Sequence, residues 1–99
     1  MTEIKTHELK TLPEYFEAVI TNRKKFEVRK NDRNFQVDDF LILREWDALR
    51  GYSGRNRYAK VDYILNDKCG FGIKRGYVVM SITLVYVVMK NDTTKGQKE

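Results

Sequence analysis

One cysteine, one proline, one histidine and one tryptophan are all that this chain holds of the residues on which many small proteins lean. Each scarcity excludes something. A lone Cys69 forms no intramolecular disulfide, which fits a reducing cytosol. One cysteine and one histidine do not make a structural zinc site, so no metal is expected, and nothing points to a cofactor. No Cys-His signature surrounds Cys69, which reads as a small residue in a glycine-flanked loop rather than a nucleophile. Long hydrophobic runs are also missing. The most apolar stretch, Tyr77 to Met89, is too short to span a bilayer and contains Ser81 and Thr83. The first residues, Met-Thr-Glu-Ile-Lys-Thr-His-Glu, lack the apolar centre of a signal peptide. A soluble, cytoplasmic protein with no membrane partner is therefore expected.

What is abundant is charge. Charged residues make up 33% of the sequence, and 19 Lys plus Arg against 14 Asp plus Glu leave a net charge of +5. That balance favours an anionic partner, with RNA or DNA ahead of a membrane surface. Ninety-nine residues suffice for one core without metals or disulfides, so a single domain is expected over residues 1–89, as a monomer. Residues 90–99 read as a disordered polar tail, because no apolar side chain occurs from Asn91 onward.

Taken in order, Glu3 to Leu9 reads as a first strand with His7 near its middle. Thr11-Leu12-Pro13-Glu14 has the form of a capping box, with Pro13 in the first turn. Leu12, Tyr15, Phe16, Val19 and Ile20 then follow helical spacing, predicting one amphipathic helix over roughly Leu12 to Thr21. Lys25 to Lys30 reads as a strand that buries Phe26 and Val28 and shows Lys25, Glu27 and Arg29 on its other face. Asn31 to Asn34 forms a polar turn, Phe35 and Val37 resume an apolar rhythm, and Asp38-Asp39 turns again. Phe40 to Trp46 predicts a strand buried on both faces. Asp47 to Asn56, with Gly51 and Gly54 among arginines, reads as a loop or hairpin tip. Arg57 to Leu65 alternates, with Ala59, Val61, Tyr63 and Leu65 on one side. A long loop from Asn66 to Gly76 leads to Tyr77 to Met89, a strand long enough to need a bend or bulge near Ser81 to Thr83. Five or six strands and one main helix predict a small mixed β-barrel of the α+β class.

Asn22-Arg23-Lys24-Lys25-Phe26-Glu27-Val28-Arg29 resembles the GxKxxExR signature of ASCH domains, a branch of the PUA-like β-barrels, with Lys24, Glu27 and Arg29 in the signature positions. Asn22 stands where the signature has glycine. It follows the predicted helix, where the backbone is left-handed, and asparagine tolerates that conformation best after glycine. His7 to Lys10, Tyr15-Phe16, Glu27 to Arg33, Phe35 to Val37, Leu41 to Trp46 and Gly76 to Val79 extend the resemblance over roughly residues 4 to 83, to a small ASCH-like family of bacteria and their phages. The resemblance implies a barrel with a cleft between helix and strands.

In such a cleft Lys24 and Arg29 would contact phosphate or base oxygens, joined by Arg33 and Arg55. Glu27 would order those cations or accept from a base amine. Trp46, Tyr52 and Tyr77 would offer stacking surfaces, and His7 is a secondary candidate on the first strand. Each residue also has an ordinary reading: a solvated ion pair, a cation at a helix C-terminus for Lys24, and core packing for the aromatics and for His7. The main expectation is a module that binds RNA or a modified nucleotide. One alternative is a small amidohydrolase acting on acetylcytidine-like nucleosides, with Lys24 and Glu27 as the acid/base pair. There the similar signature has Thr where this chain has Glu27. The other is a phage-associated protein-interaction module.

Overall fold

A computed structural model gives the protein's structure and describes residues 3–86. The elements are β1 (Thr6–Thr11), α1 (Pro13–Ile20), β2 (Phe26–Lys30), β3 (Phe40–Asp47), β4 (Gly51–Asn66) and β5 (Tyr77–Val85). The five strands form one mixed sheet in the order β1-β3-β4-β5-β2, curled into a half-barrel, with β1 parallel to β3 and every other pair antiparallel. This is a small α+β fold with one helix. Phe35–Val37 is not a sixth strand. It belongs to the loop between β2 and β3, where Asn31 Oδ1 accepts from the Phe35 amide and Asp39 Oδ2 from the Gln36 amide, so side chains rather than a ladder hold the backbone.

The core alternates along the strands as period-two geometry requires. Leu9 of β1, Leu41 and Leu43 of β3, Ala59 and Val61 of β4, and Val78, Met80 and Ile82 of β5 are buried together with Phe16 and Val19 of α1. The flanking β3 residues are half-buried rather than fully so, which makes β3 a strand with one core face. Alternation in β4 breaks after Val61. Val61 faces Ile82 and Tyr63 faces Ser81, so Asp62 is one residue too many and forms a bulge. Tyr63 consequently turns outward, 64% exposed, and Ile64 packs against the core in its place. The expected irregularity thus lies opposite Ser81 and Ile82, with the extra residue on β4. Residues 51–56, expected as loop, belong to β4: Gly51, Tyr52 and Asn56 pair with β3 while residues 53–55 bulge out of register, and the hairpin turn is only the few residues after Asp47, whose carboxylate accepts from the Leu49 and Arg50 amides. Residues 87–89 of the expected last strand and the expected tail lie outside the described residues.

The helix begins differently from its capping-box pattern. Leu12, not Thr11, is the N-cap, extended at φ −60° and ψ 149°, and no side chain caps it. Residues before proline avoid helical angles, and Thr11 is still paired with Glu45 in the β1–β3 ladder, so its hydroxyl donates to Leu9 O instead. The helix end is as the sequence implies. Asn22 sits at φ 65°, its amide donates to Val19 O, and the Arg23 amide donates to Ala18 O, the paired bonds of a left-handed C-terminal cap.

A buried polar knot holds the loop before β3. Asp39 is 1% exposed and accepts from the Lys5 amide, the Gln36 amide and His7. Burial by itself raises the Asp39 carboxyl, but these hydrogen bonds outweigh it and hold the group below its ordinary value. An ionised Asp39 only accepts, so His7 Nε2 carries the hydrogen at 2.8 Å. The lowered carboxyl contributes stability that is complete above about pH 4 and is lost as pH falls through the folded value. Asp39→Ala, which removes the acceptor shared by the Lys5 and Gln36 amides and His7, should cost about 1–3 kcal/mol at neutral pH and flatten the loss of melting temperature below about pH 4, measured by thermal unfolding across pH.

Candidate functional site

Strand β2 carries the inversion on which the site is built. It pairs with β5 so that Glu27 faces Met80 and Arg29 faces Val78. Directly paired residues share a face of the sheet, and Met80 and Val78 are core residues, so the charged side chains turn inward. Phe26 and Val28, expected inside, are 46% and 51% exposed. Alternation within an isolated strand places the apolar residues inside; the register with β5 reverses it. Glu27 is 2% exposed.

A buried carboxylate needs partners, and Glu27 has one on each oxygen. Lys24 Nζ lies 2.7 Å from Oε2 and Arg29 Nε 3.0 Å from Oε1. Lys24 reaches it because β2 starts at Phe26, leaving Lys24 in the turn after the helix cap, free of strand parity. Its ammonium also donates to Phe26 O at 2.7 Å and lies over the rings of Phe26 and Tyr15, 5.0 and 5.8 Å from their centres.

Arg29 does a second job. Among the described residues no ladder joins the edge strands β1 and β2. Arg29 donates instead from its NH2 group to Lys10 O at 2.9 Å and to the Thr11 hydroxyl at 3.5 Å, and Arg33 donates to Glu8 O. Two arginines thus stitch the open seam of the half-barrel to main-chain carbonyls.

Between α1, the end of β1 and β2 lies a hollow of about 570 Å³, within the range of small-molecule sites. Its walls are largely apolar, with Leu12, Tyr15, Ala18, Phe26 and Val28, and its charged lining is Lys10, Arg23, Lys24 and Arg29 against Glu27 alone. Lys24, Glu27 and Arg29 therefore come together as one cluster in a concavity. The other candidates do not join them. His7 points into the core toward Asp39, its ring edge-on to Phe35 at 4.7 Å. Arg33 is at the seam. Trp46 sits beneath the Lys10 ammonium, 4.5 Å away, one neighbour removed from the hollow. Tyr77 begins β5 under Lys74, and Tyr52 stacks on Arg44. Arg55 ties the hairpin to the helix: it donates to Glu45 and Glu17 and lies over Phe16. Its hydrogen bonds, with that of Ser53, hold the Glu45 carboxyl below its ordinary value. Cys69 is half-buried in its loop.

The sequence pattern places Tyr15 and Phe26 in the core rather than at a site. Nothing in their spacing marks them; only the β2–β5 register and the path of the chain after Asn22 expose them. Glu27→Ala should cost about 3–5 kcal/mol, since it strands two cations. Phe26→Ala, at a half-exposed position, should cost no more than about 1 kcal/mol, both read from urea unfolding.

Part of this chain aligns with the "Uncharacterized 12.9 kDa protein in GpA 3'region" of Escherichia phage P2, 41% identical over 58 residues, which is 58% of this chain and 51% of that protein. The chain thus spans about half the length of this curated relative. The model of the family described as "Domain of unknown function (DUF3850)" matches residues 6–82, nearly all of β1 to β5, and the chain belongs to that family.

Proposed function

We propose that the hollow between α1 and β2 binds an unpaired nucleotide, in RNA or as a modified nucleoside, and that the half-barrel is of the PUA-like, ASCH type. The observation behind this reading is the joint placement of two half-exposed aromatic rings, Tyr15 and Phe26, around an ammonium group that is anchored from below by Glu27. Aromatic faces accept a base by stacking, and cations at the rim accept phosphate. The helix between β1 and β2, with the signature residues facing the space it leaves, supports the ASCH assignment.

The contacts differ from those that the signature alone suggests. Arg29 and Arg33 spend hydrogen bonds on Glu27 and on main-chain carbonyls and so hold the site's shape, which leaves the NH1 group of Arg29 for a ligand. Phosphate contact falls to Arg23 and Lys10 at the lining. Stacking falls to Tyr15 and Phe26 rather than Trp46, Tyr52 and Tyr77.

One observation favours a second reading. The 2.7 Å contact of Lys24 with Glu27 inside a hollow is the arrangement that an amidohydrolase needs for acid/base work on an acylated nucleoside. Incubation with acetylcytidine, followed by chromatography, separates the two: turnover that Lys24→Ala abolishes supports the enzyme, and no turnover leaves the binding module.

Binding to short single-stranded RNA, followed by fluorescence anisotropy at low and moderate salt, is expected to weaken with salt and to fall at least about tenfold in Tyr15→Ala/Phe26→Ala, the scale of losing one or two stacked bases. No binding at low salt, or binding indifferent to both substitutions, overturns the proposal.

A further inference from the structure

The floor of the hollow is one-sided in its hydrogen bonding. Five acceptors at it take hydrogen bonds from Lys24 or Arg29. Lys24 Nζ occupies Phe26 O and Glu27 Oε2. Arg29 occupies Glu27 Oε1, Lys10 O and the Thr11 hydroxyl oxygen. Glu27 and Thr11 are each 2% exposed, so little of either side chain is open to a ligand.

Donors remain. An ammonium has three hydrogens and a guanidinium five. Lys24 uses two of its hydrogens on protein acceptors, and among the described residues the NH1 group of Arg29 has no partner. Both side chains are partly open to the hollow, at 16% and 25% exposure.

We infer that this floor selects bases with a carbonyl oxygen, rather than an amine, at the ring position meeting Lys24 and Arg29, so that uracil and hypoxanthine or guanine are taken in preference to cytosine and adenine. This rests on the nucleotide reading above and adds the ligand class to it. A carbonyl oxygen accepts from the ammonium and the guanidinium together. An amine in the same place turns its hydrogens toward two cations and has to share acceptors that Lys24 and Arg29 already engage. The inference also removes Glu27 from base reading: its carboxylate is a positioning group that aims the donors, not a partner for an exocyclic amine.

Two pairs of nucleotides isolate the point. Uridine and cytidine 5′-monophosphates differ at ring position 4, and inosine and adenosine 5′-monophosphates at position 6, each exchanging carbonyl for amine with the neighbouring nitrogen's hydrogen. Titrated by calorimetry into the full chain at low salt, the carbonyl member of each pair should bind about tenfold tighter, the discrimination expected of a good pair of hydrogen bonds. Lys24→Met, with folding checked by thermal melting, should bring both ratios toward unity, because it removes a donor and uncovers Phe26 O and Glu27 Oε2. Should that variant not fold, the two ratios on the native chain decide the matter alone. Equal binding within the pairs, or tighter binding of the amine members, overturns the selectivity and leaves the nucleotide reading standing. Binding of none of the four, nor of short RNA, overturns both.

Discussion

A carboxylate sealed under the sheet edge governs this molecule. Glu27 lies on the core face of β2, opposite Met80, where an unpaired negative charge would be untenable. Its presence there obliges one cation to arrive from the helix end and another from its own strand. Lys24 and Arg29 meet that demand, and in doing so they fix the path of the chain from Asn22 to Lys30. Buried ion pairs seldom add much net stability over apolar packing, so their value here lies in specifying one register. A slip of one residue between β2 and β5 would bury Phe26 and Val28 and expel the charges, a patterning that the apolar side chains by themselves would prefer.

The same cluster solves the problem of the unpaired edges. A half-barrel leaves two strands with unused main-chain groups, and here they are β1 and β2. Arg29 turns from Glu27 to Lys10 O, and Arg33 adds a second stitch at Glu8 O. The seam is thereby held without a ladder, and the helix that connects the same two strands stands beside it. The hollow is what remains between helix and seam. Its apolar walls are the side chains that the inverted parity turned outward, Phe26 and Val28, together with Leu12 and Tyr15 from the helix start. Site and seam are thus two sides of one solution to burying a charge.

Polar anchoring recurs away from the hollow with a different purpose. Asp39 gathers the Lys5 and Gln36 amides and His7 where β1 and β3 begin side by side, and Arg55 joins Glu45 of β3 to Glu17 of the helix. These knots set the entry to the parallel pair and the seat of α1. They account for two candidates, His7 and Arg55, whose chemistry is consumed by the fold. Among the described residues no helix is long and apolar enough to cross a membrane, and no group of three or more His, Cys, Asp or Glu side chains clusters as metal ligands.

The amino-acid order alone determined the mixed α+β class, one helix ending at Asn22, strands near their observed places, and the grouping of Lys24, Glu27 and Arg29 beside a helix end. These are local properties: turn chemistry, period-two alternation and a left-handed cap all act within a few residues. Three things were decided only in three dimensions. The register of β2 against β5 chose which face of β2 is buried, and no periodicity within β2 contains that information. The parallel pairing of β1 with β3 kept Thr11 in the sheet and so replaced the expected capping box with Leu12 before Pro13. The curl of the sheet brought β1 within reach of Arg29 and Arg33, which tie the seam there, and left Tyr15 and Phe26 lining or flanking the hollow. Each depends on contacts between residues far apart in the chain, whose energies outweigh the local preferences from which a sequence is read.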